Sequence, residues 1–403
     1  MANTTQPPLF GDTNIAAVHP AETATEIRVA PTTTGKGFNV LKLPLIPLAC
    51  WRVDEFWFDF DSSFLRPESI AAFPLLHMLR SAHPGAPLSI FGHADPVGDD
   101  AYNKRLAGRR AQAVYAALVR DTARWEALYS NSEGGDNWGI RSLQVMLKQI
   151  GNTPGPADGI NGKRTKEAVV AFQKSAGLTD DGIAGPKTRE KLFLAYMDSL
   201  CVDEHSDPVR LDPSDFLARG ADPGGKGDVQ GCSEFNPLQV FSIEEQKRLS
   251  EPGNKDERDA RNGPNRRVVT FLFRPGSQIA PGNWPCPRAS EPDAGCRKRF
   301  WSDGDKRRSP SAETRKFQDT HDTFACRFYH RLAVSSPCEQ YEIRDFLRVE
   351  DELGDAVANT AISCLLSDGS TTSLTTDADG MIFVSGKRLV RIEMDDIHKI
   401  ENG

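Results

Sequence analysis

The chain has 403 residues, 38% of them hydrophobic and 26% charged, with a formal net charge of −7. That acidic balance excludes a general nucleic-acid binder, which needs a basic face, and no apolar run reaches membrane-spanning length. The length accommodates two to four domains.

Residues 1–45 are rich in Thr, Ala and Pro and read as a flexible N-terminal segment. A basic stretch followed by an apolar one is lacking there, so the expectation is a chain without a secretory signal peptide. The pattern then runs strand, helix, strand, helix to residue 130. EFWFDF at 55–60 alternates aromatic and acidic residues, as a half-buried strand does. Pro67 opens a helix with a stripe of Ile70, Phe73, Leu76 and Leu79, which Pro74 is expected to kink. LSIFG at 88–92 is a second strand, and 100–121 a second helix with Leu106, Ala113, Ala117 and Leu118 inward. Arg110 shares that inward stripe, whereas Arg109 is expected to face solvent. A guanidinium on an inward face needs an anion or acceptors, and Asp95, where the preceding strand ends, is placed to be nearby. By spacing alone, an Asp95–Arg110 ion pair that only braces the fold explains both residues as well as a ligand site does.

Residues 131–203 change character. Ile140, Leu143, Leu147 and Ile150 recur at helical spacing, and an internal repeat follows, DGINGKRT at 158–165 and DGIAGPKT at 181–188. Each copy leads into a helix, with Thr165 and Thr188 expected as N-caps and Ile160, Ile183, Val169 and Phe172 as core. The reading is a small three-helix domain.

Residues 203–265 look loop-rich, and RRVVTFLF at 266–273 is a strong strand. The region 279–342 carries many Arg and four cysteines, Cys286, Cys296, Cys326 and Cys338; the others, Cys50, Cys201, Cys232 and Cys364, are scattered. Two disulfides, one structural zinc or buried thiols all fit the four. Residues 343–403 show short alternating runs between turn signals, the pattern of a small antiparallel β-sandwich.

FWFDF, GHAD and NKRLAGRRAQAV resemble the OmpA-like domain that grips peptidoglycan, on Phe58, Asp59, Phe60, Gly92, His93, Asp95, Asn103, Leu106, Arg109, Arg110, Ala111 and Val114. The resemblance implies that Asp95 and Arg110 bind the diaminopimelate residue of the stem peptide, with Asn103 and Gly92 in the same site. An acid beside a forked cation suits a zwitterion. Ala94, Pro96 and Ala107 depart from the family pattern without touching the two charges. The family closes its sheet after N-R-R-V, found here at 265–268. The expectation is therefore a discontinuous domain, 46–130 plus 204–278, with 131–203 inserted; a truncated first domain is the alternative. The repeat segment resembles the small peptidoglycan-binding domain of cell-wall hydrolases, on Leu143, Gln144, Leu147, Asp158, Gly159, Ile160, Gly162, Thr165, Phe172, Gln173, Asp181, Gly182, Ile183, Gly185 and Thr188. Its candidate groove is built around Asp158, Gly159, Asp181 and Gly182. The C-terminal stretch resembles carboxypeptidase-regulatory-like β modules over a short length.

The expected fold is α+β: an OmpA-like β/α sandwich interrupted by a three-helix bundle, then the Cys-rich region 279–342 and a small β-sandwich at 343–403. The expected function is non-catalytic binding of peptidoglycan by an anchor or targeting component of a secretion or injection apparatus, with spike or baseplate proteins as further partners. No cofactor is expected beyond structural zinc or disulfides at the four cysteines. The expected place of action is the periplasm or cell wall, after export by a specialised machine. The rival is a wall-targeted effector or hydrolase working in the Cys-rich region, where His321, Cys326 and His330 are the nucleophile, base or ligand candidates.

Overall fold

The computed structural model describes residues 45, 47–54, 57–58, 61–239, 241, 243–297, 300–301, 316–317, 321–322, 325–334, 346–349, 356–366, 371–378, 380–383 and 389–393. They fall into two compact units, the first made of segments ending at Phe235 and spanning Arg266–Lys298 and Arg327–Glu339, the second of Asn236–Asn265, Arg299–Cys326 and Gln340–Gly403. Helix and sheet are mixed, as the α+β expectation required.

The first unit is organised on a four-stranded sheet of order β1 (Pro47–Asp54), β4 (Arg267–Phe273), β2 (Leu88–Gly92), β3 (Val229–Gly231). β4 runs antiparallel to both neighbours, pairing Trp51 with Thr270 and Ile90 with Thr270, and β2 runs parallel to β3. The strand that follows NRR thus fills the centre of the sheet, more than 170 residues after β2. All seven of its residues are buried, which suits a run that is apolar apart from Arg267 and Thr270.

Two expectations shift here. The first strand is PLACWRVD at 47–54, with Ala49, Trp51 and Val53 on the buried face, not EFWFDF. Part of EFWFDF lies outside the described residues, and Phe58 makes only an isolated bridge with Leu65. The first helix divides at Pro74: a 3-10 turn, Pro67–Ala72, precedes α1, Phe73–Ala82. Proline cannot donate the hydrogen bond an interior position requires, so it takes the first turn of a new helix.

α2 (Asp100–Val119) begins at Asp99, whose side chain caps the Tyr102 N–H, and packs on β2 and β3. Its Ala- and Gly-rich faces permit close approach on several sides, and Leu106, Arg110, Ala113, Ala117 and Leu118 are all buried. Arg109 does not face solvent. It pairs with the buried Asp136 and donates to the carbonyls of Asn131 and Leu128, 2.8 Å each, because the chain after α3 (Thr122–Ser130) folds back over it.

α4 (Gly139–Gln149), α5 (Lys163–Ser175) and α6 (Pro186–Leu200) form the helical part. Its core is continuous with that of the α/β part: Trp138 stands edge-on to Trp125 at 5.2 Å, and Tyr196 stacks on Phe64 at 5.8 Å and donates to the Leu65 carbonyl. The caps of α5 and α6 are Gly162 and Gly185; Thr165 and Thr188 are buried inside the first turns instead.

The opposite face of the sheet is covered by chain expected to form a separate Cys-rich body. Trp284 and Tyr329, the latter on α10 (Arg327–Val334, after the short α9 at Ala294–Arg297), pack against Phe91, and Tyr329 also meets Phe271. Residues 279–342 therefore do not act as one body: parts join each unit.

The second unit holds α7 (Ile243–Leu249) and α8 (Lys255–Arg261), in a stretch that read as loop, joined by Arg261–Glu245 at 2.8 Å. β5 (Phe300–Trp301) pairs with β8 (Ala325–Cys326), and β6 (Lys316–Phe317) with β7 (His321–Asp322). Beyond them, β9 (Phe346–Arg348), β10 (Ala361–Leu366), β11 (Thr371–Thr375), β12 (Met381–Phe383) and β13 (Leu389–Glu393) make two antiparallel sheets, β11-β10-β13 and β12-β9. Among the described residues no helix is long and apolar enough to cross a membrane.

Candidate functional site

β2 ends at Gly92, and the next two residues stay tied to the sheet edge: His93 N–H donates to the Arg267 carbonyl at 2.7 Å and Ala94 N–H to Ser233 at 2.8 Å. Asp95 is thereby delivered beyond the strand end. One carboxylate oxygen accepts the Val97 N–H at 2.9 Å, and the other accepts Arg266 at 2.6 Å. Arg266 comes from the residue before β4, so the central strand brings its own cation to the acid.

Arg110 lies behind, 2% exposed, donating to the Ser62 carbonyl at 2.9 Å with its guanidinium 5.4 Å from the Phe58 ring centre. Burial lowers its pKa, Arg266 lowers it further, and Asp95, Asp136 and Asp61 oppose them. Asp95, Arg110 and Arg266 thus act on one another electrostatically, with the direct ion pair made by Arg266 and not by Arg110.

Asn103 is buried, and its amide nitrogen lies within hydrogen-bond distance of the Asp95 and Val97 carbonyls, at 3.1 and 3.2 Å, and of Glu234 at 2.6 Å. It shapes the 95–97 turn. Gly92 serves packing, since a Cβ there would stand 2.0 Å from the Ala107 carbonyl oxygen. Around the rim, Tyr102 donates to Asp61 at 2.6 Å, and burial together with Asp61 raises its pKa. Asp136 accepts Ser62 Oγ at 2.9 Å, Ser63 N–H at 2.8 Å and Ser63 Oγ at 2.6 Å. Arg266, Asp61, Tyr102 and Asp136 carried no signal in the sequence reading, because each meets the site through sequence-distant contacts.

In the helical part the two repeat loops are built alike. Gln144 donates to Asp158 at 2.9 Å and Thr165 at 3.0 Å and accepts the Gly159 N–H; Gln173 donates to Asp181 at 2.8 Å and Thr188 at 3.1 Å and accepts the Gly182 N–H. Each buried glutamine thereby ties loop, turn and helix start into one knot. These hydrogen bonds hold both Asp carboxyls below the usual carboxylate range, with Gln144 the largest cause for Asp158 and the Ile183 N–H for Asp181. Asp158, Gly159, Asp181 and Gly182 are therefore committed to the loops' own geometry. Ile160 and Ile183 are not core: each is 65% exposed, since the knots turn the loop tips outward. An open groove runs between the loops, lined by Lys163, Lys166, Glu167 and Val170 beside Asp181 and Gly182; Asp158 and Gly159 are not on it.

Cys201, Cys232, Cys286, Cys296 and Cys326 are held as thiols, whereas Cys50 is in a disulfide; Cys338 lies outside the described residues. Burial lowers the pKa of Lys104. Burial pushes the Cys201 thiol up to about 12, the opposite of an activated nucleophile.

Comparison with known proteins gives two adjoining matches. The OmpA family model matches residues 57–138, and the PG_binding_1 model, a peptidoglycan binding domain, matches 138–192. Outer membrane porin F of Pseudomonas fluorescens is 39% identical over 64 residues, 16% of this chain and 20% of the porin. Outer membrane protein A of Bordetella avium is 31% identical over 91 residues, 23% of this chain and 46% of that protein. The zinc D-Ala-D-Ala carboxypeptidase of Streptomyces albus G is 41% identical over 64 residues, 15% of this chain and 25% of the enzyme. The chain thus spans less than half the length of each of these relatives. No solved structure gives a significant match. The chain is accordingly similar to OmpA-family and peptidoglycan-binding domains over consecutive segments that together form most of the first unit's N-terminal part.

Proposed function

We propose that the protein binds peptidoglycan without cutting it. The observation that carries this reading is the grouping of Asp95 and Arg110, inside the segment matched by the OmpA family model, with Arg266, which reaches them from the residue before β4, outside that segment. One carboxylate and two guanidiniums suit an amino acid with an ammonium and a carboxylate on one carbon, the chemistry of diaminopimelate in a stem peptide. The ammonium would displace Arg266 from Asp95, and the carboxylate would take up the freed Arg266 together with Arg110. Arg110 is buried, so binding requires the cover over it to open. The adjoining peptidoglycan binding domain match supports a second contact with the same polymer, and its groove beside Asp181 and Gly182 is the place we assign to it.

At the level of the cell, we place the protein at the periplasm or cell wall as an anchor or targeting component of a secretion or injection apparatus. The helical part is an insertion within an OmpA-like domain. The combination of two wall-binding modules with a C-terminal β module supports that placement, which capture of spike or baseplate proteins by the wall-bound chain would test.

The binding reading is tested by sedimentation with purified sacculi. Wild type co-sediments; Asp95→Asn, with an unchanged circular dichroism spectrum, is retained about tenfold less at limiting sacculi. Equal retention of the two proteins removes Asp95 from the site, and failure of the wild type to co-sediment removes the function.

A further inference from the structure

At α1, three ligating side chains from two parts of the chain converge. His77 lies one turn after the buried Phe73 on α1, and Asp203 and Glu204 lie on the loop that leaves α6. One ligand atom from each, an imidazole nitrogen and two carboxylate oxygens, lies within 4.8 Å of the others. His77 Nδ1 stands 2.9 Å from Glu204 Oε2.

The loop is preformed around Asp203. One of its oxygens accepts the N–H groups of His205 and Asp207, at 2.8 and 2.9 Å, and the loop closes through a Val202–Pro208 bridge. Carboxylates braced by backbone donors are what orients a ligand toward a metal. Asp203 and Glu204 adjoin in sequence and bring two carboxylates to the one imidazole. Two carboxylates facing one imidazole give the cluster the donor set and the negative charge that a divalent cation complements.

We propose that His77, Asp203 and Glu204 form a divalent transition-metal site, with zinc the natural occupant. One imidazole and two carboxylates are a mixed nitrogen and oxygen set that suits zinc better than calcium or magnesium, which take oxygen. All three residues are partly solvent-accessible, so remaining coordination positions go to water. Bound there, the ion adds a cross-link between α1 of the α/β part and the segment that leaves α6 of the helical part, beside the core the two parts already share.

The test titrates the full chain, tag-free and stripped with chelator, with zinc chloride by calorimetry and with cobalt chloride by absorption. The expected result is one site whose affinity falls by about tenfold or more in His77→Ala and in Glu204→Gln. Affinity in the off-site control His83→Ala stays as in wild type. Glu204 is exposed, so its variant keeps the fold and separates loss of a ligand from any loss of structure in His77→Ala. Cobalt bound at this site shows no intense sulfur-to-metal band. Equal affinity in Glu204→Gln and wild type, no binding at all, or a cobalt spectrum dominated by that sulfur band overturns the proposal.

Discussion

His93 sets an imidazole in the core with one nitrogen serving the backbone and the other bare. Nδ1 donates to the Phe235 carbonyl at 3.1 Å, Nε2 has no hydrogen-bond partner among the described residues, and the ring stands 4.5 Å from that of Tyr329. Burial, then Arg267, lower its pKa well below 6.5, so the folded protein holds it neutral. A depressed folded-state value contributes stability that is present above 6.5 and lost as the pH falls toward and through the lowered value. Urea midpoints should therefore fall more steeply from about pH 7 to about pH 5 in wild type than in His93→Asn; parallel curves would contradict this account. Asp222 works in the opposite range. Its hydrogen bonds with Arg288 hold it at about 2, so its contribution, present at higher pH, is lost as the pH falls through that value. The stability gap between wild type and Asp222→Asn should close as the solution is acidified to about pH 2. The nearness of Asp95 to Arg110 was legible because a strand end and a helix stripe lie close in sequence. Arg266 was not, since 171 residues separate it from Asp95.

α2 is locked to its neighbours by absent side chains. A Cβ on Gly92 would meet the Ala107 carbonyl oxygen at 2.0 Å, one on Gly108 the Ala289 carbonyl oxygen at 2.2 Å, and one on Gly231 the Gly108 nitrogen at 2.6 Å. These are backbone atoms that cannot swing aside, so Gly92→Ala should cost more than about 3 kcal/mol in chemical denaturation. The repeat loops make a parallel case. Gln173→Leu strands the Asp181, Thr188 and Gly182 groups it serves, and should lower stability by about 2–3 kcal/mol while leaving the sheet intact by far-ultraviolet circular dichroism. The repeat itself was plain in the sequence. What failed was the assignment of its isoleucines to the core and its threonines to the caps. Periodicity counts residues from a helix start, and the starts lie at Lys163 and Pro186, before the threonines.

Across the whole first unit, the helical part and the α/β part share one core, and Arg189 of α6 pairs with Glu126 of α3 across their boundary. They should unfold in a single transition, and Trp138→Ala, which empties the space between Phe64 and Trp125, should lower it by about 3–5 kcal/mol. The α+β class was legible from strand and helix patterns, and the return of the chain at NRRVV from the resemblance to the OmpA-like family. The cover of the sheet's second face was not, because Trp284 sits in an irregular stretch and Tyr329 on a helix of only eight residues, and both act only through the sheet they meet. The central claim is that Asp95 and Arg110 recognise diaminopimelate, and titration of the full chain with free meso-diaminopimelate, followed by calorimetry, tests it most directly. Saturable binding by wild type, weakened about tenfold or more in Asp95→Asn and unaffected by Lys166→Ala in the helical groove, is the predicted result. No heat in wild type, or equal affinity in wild type and Asp95→Asn, would contradict it.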